Sequence, residues 1–214
     1  MSLRRLAVAA LFVGSLLPCA AGAMGIEKGV KAGVNLASFR GEFADLADPE
    51  IRAGFVGGAF AAFGFAPDLA VQVEVLFSQK GAKFTGEETD ELGNPLGAYE
   101  SVVKTNYLEV PVLLRGTLLR HSPVRPMYYI GPTAGISLGG TVETDLAGAA
   151  DQDLEDLKAV DLGLALGAGV GFDLGGRKLT TEFRYTTGFA DIHDLSGNAE
   201  SVNSVFSFLA GIAF

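Results

Sequence analysis

Two histidines, one cysteine and a scatter of carboxylates are all this 214-residue chain offers for site chemistry. His193 lies in Asp191-Ile192-His193-Asp194, with Ser196 close by. An imidazole oriented by an acid beside a hydroxyl is the minimal plan of a nucleophilic hydrolase. The same residues suit a divalent ion, with His193, Asp191 and Asp194 as ligands. The spacing selects neither, because histidines beside acids are common in solvated loops, and His121 reads as a turn residue. Gly167-Ala168-Gly169-Val170-Gly171 has neither the following helix pattern nor the lysine that a phosphate loop needs. No catalytic residue, metal ligand or cofactor is assigned, and the chain is not read as an enzyme.

A second set of polar residues is more informative. Lys31, Glu74, Glu109, Arg115, Asp161, Glu182 and Arg184 each fall on the polar parity of a stretch that alternates apolar and polar side chains. In a strand, alternation puts the two parities on opposite faces. Eight such stretches run through the chain. They are Lys28–Phe39, Ile51–Phe65, Leu69–Lys83, about Tyr99–Leu118, Pro126–Gly140, about Leu157–Leu174, Lys178–Ala190 and Val202–Phe214. In the third, Leu69, Val71, Val73, Val75 and Phe77 oppose Gln72, Glu74 and Ser78. In the last, Phe206, Phe208, Ala210, Ile212 and Phe214 share one face to the terminal residue.

The connections alternate too. Long, acidic links (40–50, 84–98, 141–156, 191–200) follow odd stretches, and short ones (66–68, 119–125, 175–177) follow even stretches. Eight amphipathic strands joined this way predict an all-β, eight-stranded, antiparallel up-and-down transmembrane barrel. No stretch after the leader is long and apolar enough for a spanning helix. Arg4-Arg5, the apolar run Leu6–Leu17 and Ala21-Gly22-Ala23 read as an export signal over 1–23, leaving 24–214 as one barrel domain. Cys19 leaves with that signal, so disulfides are not expected. The net charge of −9 argues against nucleic acid.

Alternation alone leaves open which face looks inward. A soluble lipocalin-like carrier would turn the apolar rows in around a ligand. The polar parity here is mostly Gly, Ala, Ser and Thr with sparse charges, which suits a narrow lumen, and the aromatic terminal row suits lipid. Aromatics near strand ends, Phe39, Phe65, Tyr99, Phe189 and Phe214, fit interfacial girdles. The seven charged residues are then lumenal and must pair. The expected network centres on Arg115 and Arg184 with Glu74, Glu109 and Glu182, as a structural plug or, alternatively, the lining of a narrow gated channel.

Several blocks carry a family likeness. Lys31-Ala32-Gly33-Val34-Asn35-Leu36-Ala37, Tyr107-Leu108-Glu109-Val110-Pro111-Val112-Leu113-Leu114, Tyr129-Ile130-Gly131-Pro132 and Arg184-Tyr185-Thr186-Thr187-Gly188-Phe189 resemble, in order, blocks of the PorT-like outer-membrane β-barrel family. Arg115 stands where that family has a lysine. The resemblance implies an eight-stranded barrel in the outer membrane of a Gram-negative bacterium and assigns no activity. Expected partners are outer-membrane lipid and lipopolysaccharide, and the barrel-assembly machinery reading Phe206, Phe208, Ile212 and Phe214 as an insertion signal. Acidic loops such as Glu87-Glu88-Thr89-Asp90-Glu91 are candidates for divalent cations, with a solvated loop tip as the plainer alternative.

Overall fold

Each alternating stretch forms a strand because its apolar parity must leave water while its backbone must find hydrogen bonds, and a closed ladder satisfies both. The computed structural model describes residues 25–40, 49–89, 95–119, 121–145, 152–154, 160–189 and 202–214. Residues 1–23, expected to be the leader, and the His193 segment lie outside them. The strands are β1 Gly25–Arg40, β2 Glu50–Ala66, β3 Leu69–Thr89, β4 Pro95–Thr117, β5 Val124–Thr144, β6 Gln152–Asp153, β7 Val160–Leu174, β8 Arg177–Gly188 and β9 Val202–Ala213. Eight of them pair antiparallel in the order β4-β3-β2-β1-β9-β8-β7-β5, and β4 with β5 closes the ring. β6 is a short flap on β5, with Thr141 opposite Asp153.

Tight turns join the strands at one end. Pro67-Asp68 links β2 to β3, and Gly175-Gly176 links β7 to β8. Gly175 (φ 57°) and Gly176 (φ 90°) both take positive φ, the hairpin geometry that matches strand twist and favours glycine. At the other end, one expected loop is largely ladder and another is ladder in part. β3 and β4 stay paired from Phe84–Ser101 to Thr89–Pro95, leaving only 90–94 between them. β5 likewise runs on to Thr144. The apolar rhythm fades there because strand past the lipid belt needs no greasy face, yet its ladder continues.

The apolar rows face outward. Val34 is 48% exposed and Phe208 53%, whereas Glu74 is 0% and Arg184 3% exposed. This overturns the inward-facing, lipocalin-like alternative. On the outer surface Phe183 lies opposite Phe208 and Tyr185 opposite Phe206, with ring centroids 5.0 and 4.8 Å apart. Such cross-strand aromatic pairs help hold β8 to β9. Phe65, Phe189 and Phe214 are exposed, as a girdle requires, but Phe39 is not. Its odd parity in β1 points it inward, against Ala82, Phe84 and Val103.

Candidate functional site: a lumen of paired ions

The seven charged residues expected inside are all buried, on five strands: Lys31 (β1), Glu74 (β3), Glu109 and Arg115 (β4), Asp161 (β7), Glu182 and Arg184 (β8). They form three ion groups stacked along the lumen: Gln72 links the groups of Arg184 and Arg115, and Glu109 and Asp161 stand apart.

The middle cluster is the most enclosed. Arg184 grips Glu74 through Nη1 and Nη2 at 2.9 Å each, and its Nε donates to Glu182 at 3.0 Å. Lys31 Nζ reaches across to Glu74 at 2.9 Å and Glu182 at 2.7 Å. Two cations thus meet two carboxylates, and the set is neutral. Gln72 extends it by donating to Glu74 at 2.6 Å. Phe60 and Tyr129 supply ring faces 5.0 and 5.8 Å from the Lys31 ammonium.

Toward the tight-turn end, Arg115 Nη1 donates to Glu27 at 2.6 Å and to Gln72 at 3.0 Å, while Lys178 also pairs with Glu27. Toward the opposite end, Lys80 Nζ bridges Glu109 at 2.5 Å and Asp161 at 3.0 Å, above the Tyr107 ring at 4.9 Å. Glu109 therefore belongs with Lys80 and not with the arginines. Between this cluster and the middle one lie a neutral layer, Asn35 with Ser78 and Ser207, and an apolar cluster of Val56, Leu76 and Leu209.

Glu27, Lys80 and Lys178 are missing from the sequence expectation although parity marks them. Lys80 shares the face of Gln72 and Glu74, Lys178 that of Glu182, and Glu27 that of Lys31. Inward rings at Phe60, Tyr107 and Tyr129 also replace part of the small-residue filling expected there. The outward positions of Phe206, Phe208 and Phe214 leave the terminal aromatic row facing the surroundings. Among the described residues no group of three or more metal-ligating side chains occurs.

The chain is similar in fold to several solved outer-membrane proteins. A major outer membrane protein of Thermus thermophilus aligns at TM-score 0.49 and 15% identity, over 89% of this chain and 99% of that one. Neisserial surface protein A aligns at 0.48 and 18%, over 90% and 97%. Ail, the attachment invasion locus protein of Yersinia pestis, aligns at 0.43 and 14%, over 89% and 100%. No curated protein sequence matches the chain. Residues 22–194 do match one family, and with the closed barrel and its outward greasy rows this completes the assignment: the chain is a bacterial outer-membrane protein belonging to the outer membrane protein beta-barrel domain family.

Proposed function

We propose that this protein is a plugged barrel with a structural or surface-interaction role, exported by the leader 1–23 and carrying its acidic connections outside the cell. The observation that carries this reading is the Arg184–Glu74 clamp, which joins β8 to β3 across the hollow with 3% and 0% exposure. An eight-stranded interior is only as wide as its side chains. Ions paired across it, with the apolar layer above, support an interior filled at that level. The narrower PorT-like likeness belongs to this proposal, as does recognition of Phe206, Phe208, Ile212 and Phe214 by the assembly machinery. Contact of the acidic loops with lipopolysaccharide, through divalent cations, belongs here too.

Planar-bilayer recording tests it. The native chain is expected to show no steady conductance, and Arg184→Ala is expected to leak because one ion of the plug is gone. Regular channel openings by the native barrel would overturn the plug in favour of a narrow gated channel. Band shift on unboiled gels, which reports the closed barrel, serves as the folding control for both.

A further inference from the structure

One cation interrupts the greasy outer row of β1. Lys28 stands between Ile26 and Val30 on the outward face, near the tight-turn end, and is exposed. Among the described residues it is the one outward lysine or arginine set between two apolar neighbours of its own row. The inward cations at this end all have carboxylate partners: Arg115 and Lys178 hold Glu27, and Arg125 holds Asp173. Lys28 has none. Neither does Arg177, on the outward face of β8, and the carboxyl group of Phe214 pairs with neither. β9 ends between β1 and β8, so these two free cations flank Phe214. A lipid-facing lysine near the interface lays its stem along apolar surface and reaches its ammonium toward an anion at that depth. In a bilayer that anion is a lipid phosphate.

Beside Lys28 the outer surface is hollow. Over β2 the outward side chains shrink to Ala59 and Ala61, which lie opposite Val30 and Lys28 on β1 and opposite Val75 and Val73 on β3. With Phe214 these residues bound a groove of about 490 Å³ that is apolar apart from Lys28. Its two walls stand two strand spacings apart, about 10 Å. The groove and the cation thus meet the two parts of one ligand, a hydrocarbon tail and the phosphate from which it hangs. Charge selects the headgroup. Two free cations attract a headgroup of net negative charge, whereas one that carries its own ammonium is repelled in part.

We propose that the barrel binds one anionic glycerophospholipid on its outer wall, with the phosphate on Lys28 and Arg177 and an acyl chain along Ala59 and Ala61. Placing this lipid in the inner leaflet rests on the orientation proposed above, with the acidic connections outside. Its readout is lipid retention, which is independent of whether the barrel conducts. The full chain, refolded in neutral detergent, is titrated with phosphatidylglycerol and, separately, with phosphatidylethanolamine of the same acyl chains. Native mass spectrometry counts the lipids retained, and the band shift on unboiled gels confirms folding. The expected result is saturation at one phosphatidylglycerol per chain, with phosphatidylethanolamine held more weakly. Lys28→Gln should weaken phosphatidylglycerol retention about tenfold, as loss of one charge-assisted contact implies, and leave phosphatidylethanolamine unchanged. Ala59→Phe, which keeps every charge but fills the groove, should weaken both lipids, and it carries the test if Lys28→Gln does not fold. Equal retention of the two lipids, or uptake of phosphatidylglycerol without saturation, would reduce Lys28 to a general interfacial cation. Retention untouched by Ala59→Phe would leave the groove without an acyl chain. Tighter binding of lipid A at the same residues would move the site to the other leaflet, and dimers that Ala59→Phe dissociates would make the groove a contact between copies of this chain. Each of these outcomes overturns the proposal.

Discussion

Two sets of ion pairs in this barrel have similar lengths and very different surroundings. In the middle of the lumen Lys31 meets Glu182 at 2.7 Å with both side chains 2% exposed. At the rim Lys83 meets Glu100, also at 2.7 Å, with the side chains 31% and 44% exposed. Lys104 and Glu143 form a second rim pair of the same kind. Contact length therefore says little about what a pair does. At the rim, water already solvates both partners, and the pair adds at most about 1 kcal/mol. In the lumen neither partner has water to fall back on, so removing one strands the other.

The sharpest break of this comparison is Arg184→Ala. It leaves Glu74 and Glu182 sharing Lys31 alone and is expected to cost about 3–5 kcal/mol in urea unfolding from lipid vesicles. Arg115→Ala should cost less, about 1.5–3 kcal/mol, because Lys178 still holds Glu27. Replacing Lys31, Glu74, Glu182 and Arg184 together with apolar residues of similar volume is expected to cost less than Arg184→Ala alone, since no charge is then left unpaired. A larger loss would mean that the ions contribute attraction of their own. Lys104→Ala at the rim should change the same unfolding midpoint by no more than about 1 kcal/mol, and raising the salt should erase even that.

Much of the barrel was legible because a membrane writes a period of two into every strand it touches. Val30–Val34 and Phe206–Phe214 keep that rhythm, and both lie where the alternation places them. Legibility ends where the lipid does: the ladder from Phe84–Ser101 to Thr89–Pro95 has no greasy face to announce it. Within the lumen, parity shows which charges point inward but not which of them meet. Glu109 and Arg115 share a face of β4, yet one pairs with Lys80 and the other with Glu27. That choice depends on strand stagger around a closed ring, which no local stretch records. Phe39 is the reverse case, where aromatic character near a strand end suggested an interfacial role and parity decided against it.

The ring is sealed by β1 against β9, from Gly29–Ala213 to Arg40–Val202. Asn35 and Ser207 touch across that seam although 172 positions separate them. The earliest and latest of the strands must therefore find each other before either has a complete set of backbone partners. Until then two unsatisfied edges are open to any passing chain, and the entropy of joining distant segments slows their meeting. A ribosome cannot deliver such a cylinder piece by piece. The cylinder can close only after its last strand has been made.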